Sequence, residues 1–277
     1  MEFLKNQKHL IGMLSLLLVA MGIVYWPIVV PMVKQWAADD NYSHGFLVPL
    51  IAGYLAYLRR DELLAAEVRP SNFGLAIICF GLFMLLLGWI ATEYFTMRSS
   101  LVVIIAGSVL YLLGWEIFKI LLAPIAYLLL MVPIPAVIYD AAAFPLKLFV
   151  TKVSVLALKA MGIVIWQEGN ILMFPNITLE VADACSGLRS IMSLLALGAA
   201  YAFVLHTKTR DRVILILATL PIAVFTNCLR VIATGVLAQY FGAAAAEGFF
   251  HEFAGFFVFF GAVVMFVALG ALLKRWS

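Results

Sequence analysis

One cysteine in the C-terminal half of the chain lies where a thiol could act as a nucleophile. Cys185 stands between a polar, strand-like segment and an apolar helix that we expect to begin near Gly187. The positive end of a helix dipole favours the thiolate form of a cysteine, and the free N–H groups of the first helical turn can stabilise an oxyanion. Arg189, about one turn away, adds a positive charge. This stretch alone leaves two interpretations open: a nucleophile, or a small packing residue.

An arginine and a histidine further along the chain suit the same chemistry. Arg230 lies within an apolar run, where a charge costs about 2.5–3.5 kcal/mol and is expected to face the interior of a helix bundle. Asn227, one turn earlier, adds a polar group on that face. His251 precedes the last apolar run, and imidazole is the usual proton partner of a catalytic thiol. The alternatives are an Arg230 that reaches the membrane interface or pairs with Glu247 or Glu252, and a His251 that is merely solvated.

Four other residues are candidates for supporting roles. Glu180 precedes the cysteine and is expected to orient it or to cap the following helix, and Ser186 and Gly187 follow it directly. His44, in the N-terminal half, competes with His251 for the role of proton carrier.

The other motifs of common enzymes are missing from the sequence. No group of His, Cys, Asp and Glu has the spacing of metal ligands, and there is no glycine-rich phosphate loop. We therefore expect neither a metal nor a cofactor. Cys79 and Cys228 fall inside apolar runs and are predicted to be packing residues.

Composition assigns the chain to the membrane. Apolar residues make up 65% of the 277 residues and charged residues only 12%, about half the usual charged share. Several apolar runs approach the ~20 residues that cross a bilayer. The sequence predicts an all-α, polytopic helical bundle in a single domain, 1–277, with its catalytic motifs in 180–255. The net charge of +3 gives no reason to expect a nucleic acid partner.

Charge patterning sets the predicted topology. We expect about eight spans, near residues 10–30, 45–58, 73–90, 101–115, 120–132, 188–205, 213–238 and 254–273. The segment 137–166 carries polar residues on one face and is predicted to be an amphipathic helix at the outer interface. If it crossed the membrane, the basic loop 206–212 would lie outside, against the positive-inside rule. Both termini are then cytoplasmic, and the candidate site lies on the extracytoplasmic side of an inner membrane.

One short segment breaks the helical pattern. Residues 167–181 contain Gly169, Pro175 and several residues that favour strands. They predict a short hairpin or extended loop just before the candidate cysteine.

Four sequence blocks resemble those of the exosortase/archaeosortase family. The most specific is Glu180-Val-Ala-Asp-Ala-Cys-Ser-Gly-Leu-Arg189, followed by Asn227-Cys-Leu-Arg230 and His251-Glu-Phe-Ala-Gly255 in the same order and with similar separations. The fourth block, Tyr42-Ser-His-Gly45, is similar to the N-terminal block of that family. Outside these four blocks, Pro133-Ile-Pro135 is also similar. The resemblance covers most of the chain.

The resemblance implies a membrane cysteine protease or transpeptidase. Its substrates would be exported proteins with a C-terminal sorting signal of the PEP-CTERM type: a short motif, a transmembrane helix and a basic tail. Cys185 would be the nucleophile, Arg230 the stabiliser of the oxyanion and His251 the general acid and base. Membrane lipid and an accessory protein of an exopolysaccharide system are the other partners that it implies.

Two other classes of function remain open at this point. A transporter or channel would use Arg230 and Asn227 to bind an anionic solute within the membrane, although no inverted repeat supports it. A thiol-dependent acyltransferase would move a lipid acyl group through Cys185.

Overall fold

The chain folds almost entirely into helices, with one small sheet. The structure, a computed structural model, describes residues 2–175, 177–181, 188–205, 208–242 and 249–276. It divides into two compact units, Met1–Ile134 and Pro135–Ser277. The elements of the first unit are α1 (Glu2–Ala38), a 3-10 helix (Asp40–Phe46), α2 (Leu47–Tyr57), α3 (Arg60–Ala65), α4 (Phe73–Ile90), α5 (Tyr94–Leu113), α6 (Trp115–Tyr127) and a second 3-10 helix (Leu128–Met131). Those of the second unit are α7 (Ala136–Ala160), β1 (Trp166–Glu168), β2 (Ile171–Met173), β3 (Thr178–Glu180), α8 (Leu188–Leu205), α9 (Thr209–Phe241) and α10 (Phe249–Trp276).

Six helices of the described residues are long and apolar enough to cross a membrane. They are Ser15–Ala38 within α1, then α4, α5, α7, α9, and Phe256–Trp276 within α10. The chain is therefore a polytopic integral membrane protein, and the predicted count of eight spans is not confirmed. Two of the expected spans form shorter helices, because α2 has 11 residues and α6 has 13, about 16 and 20 Å against a hydrocarbon core of ~30 Å. The apolar part of α8, Ile191–Leu205, is also shorter than a usual span.

The segment 137–166, which was predicted to be an amphipathic helix at the membrane interface, packs against another helix in the structure. It forms α7, 25 residues long and among the six candidate spans. Three of the four residues in the polar stripe that suggested an interfacial position are buried. Lys147 is 8% exposed, and Thr151 and Ser154 are fully buried, whereas Asp140 is exposed. Ser154 donates to the carbonyl of Cys228 in α9. The amphipathic pattern thus reflects packing of α7 on α9, a cause that a helical wheel cannot separate from a water-facing side.

The extended segment before the candidate cysteine is confirmed as a small antiparallel sheet. The strand order is β1-β2-β3, with Gln167 opposite Leu172 and Leu172 opposite Leu179. Gly169 begins the two-residue turn between β1 and β2 with φ +60°, a conformation that glycine adopts without steric cost. One face of the sheet packs on the core that α7 and α9 share, through Leu172 and Val181.

In the first unit, α4 and α5 form a tightly packed helical hairpin. Gly74, Gly81 and Gly88 recur every seven residues and all are buried. A Cβ built on Gly74 would lie within van der Waals overlap of the Tyr111 backbone, and one on Gly81 within overlap of the Ile104 side chain. Close backbone approach at glycine is the usual basis of helix packing inside a membrane.

Candidate active site

Helix α9, in the second unit, carries a line of polar residues along one face. Thr219, Thr226 and Asn227 are buried, and Arg230 is half-buried with its Nε atom fully covered. Because 11 residues make almost three whole turns, Arg230 points within about 20° of Thr219 around the axis of α9. Any neighbour that contacts Thr219 therefore lies on the side of α9 to which Arg230 belongs.

That neighbour is α8. A Cβ built on Gly198 of α8 would lie 3.1 Å from the Thr219 hydroxyl oxygen. The two helices follow one another across a link of three residues and share a core that includes Leu194 of α8 and Ile222 of α9. A short connection between helices that pack along their length makes them antiparallel. The beginning of α8 therefore lies beside the later part of α9.

The third helix of this group, α10, runs parallel to α8. Gly198 faces the Phe266 ring and Gly270 faces the Tyr201 ring, so the contacts advance along both helices in the same direction. Tyr201 and Phe266 also pack edge to face, with centroids 6.1 Å apart. The beginnings of α8 and α10 therefore lie at the same end of the group.

These contacts set the relative heights of the three helices. Leu188 lies 10 residues before Gly198, a rise of about 15 Å, and Arg230 lies 11 residues after Thr219, about 16 Å. The first residue of α8 and Arg230 are thus nearly level. In α10, His251 lies 15 residues before Phe266, about 22 Å along the same direction. One end of the group therefore contains the first turn of α8, Arg230 and the first turn of α10.

The opposite face of α9 is apolar and packs on α7. Ser154 of α7 contacts the Cys228 carbonyl, and Leu158 contacts Gly235. Cys228 itself is 6% exposed within this core, which agrees with the packing role predicted for it. Cys79 is exposed on α4 of the first unit, so the packing role predicted for it is not confirmed.

The structure locates the predicted site residues to different degrees. Cys185, Ser186 and Gly187 lie outside the described residues. The backbones of Glu180, Arg189 and His251 belong to β3, α8 and α10, and their side chains are outside the described part. Asn227 and Arg230 are described in full and share the polar line of α9, as the sequence predicted.

Sequence reasoning missed the two threonines of this line. Thr219 and Thr226 are spaced by seven residues and precede Arg230 by eleven and four. That spacing puts them on the arginine's face and could have revealed the line before the structure did. Thr226 donates to the carbonyl of Ile222 in its own helix, at 2.9 Å, so its hydroxyl group is satisfied without help from a neighbour.

His44 belongs to the first unit, where it forms a buried polar lock together with Trp36 and Tyr42. Each of these three side chains contacts a backbone carbonyl between Leu130 and Ile134. Its Nε2 atom lies 3.2 Å from the Leu130 carbonyl, Trp36 donates to the Met131 carbonyl at 2.9 Å, and Tyr42 donates to the Ile134 carbonyl at 3.1 Å. Burial lowers the pKa of His44, although the nearby carbonyls of Leu130 and Asn41, which favour the protonated ring, oppose that shift. A neutral imidazole at this position fixes the 3-10 helix Asp40–Phe46 to the chain around Leu130.

Comparison with known proteins identifies the family. The fold and its spans define a polytopic helical membrane protein. The family model described as transmembrane exosortase (Exosortase_EpsH) matches residues 36–268. This is most of the chain and includes all four blocks singled out in the sequence, so the chain belongs to the transmembrane exosortase family. No curated protein and no solved structure matches it. Membership suggests a membrane transpeptidase role.

Proposed function

We propose that this protein is a cysteine transpeptidase that cleaves C-terminal sorting signals of exported proteins at the outer face of the cytoplasmic membrane. The observation that carries the proposal is the family match across residues 36–268, because Cys185, Arg230 and His251 all fall within it. The substrates are proteins that end in a short motif, a transmembrane helix and a basic tail. Both termini of the enzyme are cytoplasmic, and membrane lipid and an accessory exopolysaccharide-system protein are its other partners.

The reaction has two balanced steps. The Cys185 thiolate attacks the carbonyl carbon of the scissile peptide bond, and the C–N bond breaks as His251 gives a proton to the leaving amine. This leaves a thioester on Cys185 and releases the tail. An acceptor amine then attacks the thioester, His251 takes its proton, and the thiolate leaves. Water in place of the amine would give hydrolysis.

Arg230 stabilises the oxyanion of both tetrahedral intermediates. A guanidinium offers charged N–H donors to such an oxygen, and its charge acts strongly where water is excluded. The half-buried position of Arg230 on the inward face of α9 supports this role. Its level beside the first turn of α8 supports it too, since Cys185 precedes Leu188 by three residues and at most about 11 Å of extended chain.

The remaining residues have supporting roles in this proposal. Arg189 favours the thiolate, Asn227 holds the Arg230 side chain or the substrate, and Glu180 orients the cysteine segment from the end of β3. Ser186 and Gly187 contribute the backbone N–H groups that follow the nucleophile. His44 locks the first unit and does not transfer protons.

Replacement of each cysteine by alanine tests the proposal. Membranes that contain the protein and a tail-bearing precursor are assayed for release of the tail, and the amount of each variant in the membrane is measured in parallel. We expect Cys185→Ala to abolish processing, while Cys79→Ala and Cys228→Ala retain it. Processing by Cys185→Ala at the wild-type rate would rule out a thiol mechanism.

The same assay separates the other classes of function. A transporter that uses Arg230 and Asn227 would keep its activity in Cys185→Ala and would release no tail. A lipid acyltransferase would lose its activity in Cys185→Ala but would leave the precursor intact in the wild type.

A further inference from the structure

An apolar groove opens between three helices of the first unit. It has a volume of about 430 Å³ and is bounded by one face of α1, one face of α4 and the start of α5. Val24, Ile28 and Pro31 form the α1 wall, and Leu82, Leu86 and Trp89 form the α4 wall. Only 11% of the α1 span is buried, so the groove lies beside a largely exposed apolar helix.

A buried arginine lies beside Tyr94 and Met97, the two residues of α5 that line the groove. Arg98 is 7% exposed, and its Nη1 donates to the Gln35 side-chain oxygen at 2.8 Å. Gln35 follows Pro31 by one turn of α1 and therefore continues the groove wall. The guanidinium also lies 5.5 Å from the centre of the Tyr94 ring, which itself lines the groove.

The charge of Arg98 has no close anionic partner among the described residues. None of their carboxylates lies within ion-pair distance of it, and its buried Nε atom makes no hydrogen bond. The acidic side chain of Glu93 accepts the backbone N–H groups of Phe95 and Thr96 and caps α5. The charge of Glu93 attracts the Arg98 guanidinium from beyond ion-pair distance and offsets only part of the cost of its burial. A bound anion within hydrogen-bond distance would offset much of the rest.

We propose that the groove binds an anionic phospholipid, with an acyl chain between α1 and α4 and the phosphate group on Arg98. Charge complementarity favours a lipid over an apolar transmembrane helix, because only the lipid brings an anion to Arg98. Length favours it as well: the α1 wall from Val24 to Pro31 rises about 10 Å, a third of the ~30 Å that a spanning helix covers. Trp89 and Tyr94 are residues typical of the headgroup level of a membrane. This proposal does not depend on the function proposed above.

Lipid binding to the purified, delipidated full-length protein tests the proposal. Native mass spectrometry measures the affinity for phosphatidylglycerol and for phosphatidylcholine with identical acyl chains. Inorganic phosphate and an apolar helical peptide of about 20 residues are added as competitors. The variants are Arg98→Gln, Arg98→Lys and Ile28→Trp, with the exposed Arg69→Gln as the matched control.

We expect the wild type and Arg69→Gln to prefer phosphatidylglycerol by about tenfold, the value of one charge-assisted hydrogen bond. Arg98→Gln should lose the preference, and Arg98→Lys should recover part of it, which separates charge from a fold defect. Ile28→Trp, which fills the groove and leaves the arginine in place, should weaken binding of both lipids. Equal affinity for the two lipids in the wild type, or a preference that survives Arg98→Gln, would overturn the proposal. Displacement of the lipid by the peptide, or by phosphate at similar concentration, would overturn it too.

Discussion

The α4–α5 hairpin and the α8–α9–α10 group pack helices by two different means. The hairpin brings backbones together at Gly74, Gly81 and Gly88, with aliphatic side chains and backbone opposite them. The C-terminal group also uses glycines, at Gly198 and Gly270, but α9 adds a line of polar side chains that ends at Arg230.

The difference shows which polar residues of the membrane helices cost stability and therefore indicate a function. Close backbone approach at glycines needs no polar group. The buried polar residues of α5 (Arg98, Ser99, Ser100 and Ser108) are not among the nearest contacts of these glycines. The threonines of α9 are nearly neutral in energy, since Thr226 bonds within its own helix. An asparagine and an arginine at this depth need partners from outside their helix, and such residues in membrane helices mark functional sites by default.

The largest expected effect is on catalysis, at the end of the polar line. Replacement of Arg230 by Gln removes the charge that stabilises the oxyanion, so the processing rate should fall by about 100- to 1000-fold, the usual cost of losing one oxyanion donor. Single-turnover cleavage at saturating substrate measures this rate. Arg210→Gln, at the opposite end of the same helix and mostly exposed, is the control and should retain the wild-type rate. Equal losses in the two variants would mean that loss of any positive charge on α9 slows cleavage and that Arg230 has no particular role.

The next effect concerns the stability of the hairpin. In Gly74→Ala the added methyl group meets the Tyr111 backbone, which cannot move without displacing α5. The free energy of unfolding should fall by about 3 kcal/mol, at the upper end for overpacked sites. Denaturant titration in detergent measures it. Gly53→Ala in α2, where nothing lies within 4 Å of the new Cβ, should be neutral or slightly stabilising. A neutral Gly74→Ala would mean that the hairpin is less tightly packed than the structure indicates.

Gly198→Ala should have a smaller effect on stability and a clear one on activity. The new Cβ meets the end of the Phe266 ring and the Thr219 hydroxyl. The ring can turn aside, so we expect a loss of about 1–2 kcal/mol. The shift of α8 against α9 should slow cleavage as well, because small misplacements of reacting groups reduce rates. Gly261→Ala in α10, with open space around it, is the matched control. Unchanged cleavage by a destabilised Gly198→Ala variant would show that the packing of α8 on α9 at this position does not position the site.

The smallest expected effect is the pH dependence of the lock in the first unit. Because burial lowers the pKa of His44 in the folded state, the unfolded chain takes up a proton first as the pH falls below the ordinary value of ~6.5. Stability should therefore be full above that pH and decline below it, by at most about 1.4 kcal/mol per pH unit until the lowered pKa is reached. Thermal unfolding from about pH 7.5 to 5.5 measures the slope. His44→Gln should be less stable at neutral pH and show a flatter slope. An equal slope would assign the pH dependence to other groups.

Local patterns of hydropathy and residue type predicted two helices and the extended segment. The residues 73–90 and 188–205 are helical over the expected ranges, and the extended segment before Cys185 is a sheet. Asn227 and Arg230 were identified because polar side chains in an apolar run are conspicuous.

Properties that depend on neighbouring helices could not be predicted from the sequence. Most of the polar stripe of α7 is buried, with Ser154 bonded to α9. Arg98, which falls between two of the expected spans, is buried in the first turns of α5. Both patterns look the same along the chain whether water or protein covers them. The relative height of neighbouring helices is the second example. Arg230 lies level with Leu188 because Gly198 contacts Thr219, and no local pattern in the sequence indicates that contact.

The measurement that tests the central claim most directly is a cross-link between the beginnings of α8 and α10. In a chain with Cys79→Ala and Cys228→Ala, a second cysteine is introduced by His251→Cys or, as a control, by Leu272→Cys, which lies about 31 Å further along α10. A short bifunctional thiol reagent is added to membranes, and the linked peptides are identified by mass spectrometry. We predict a link between Cys185 and position 251 and none between Cys185 and position 272. Absence of the first link, or equal yields of the two, would contradict the account.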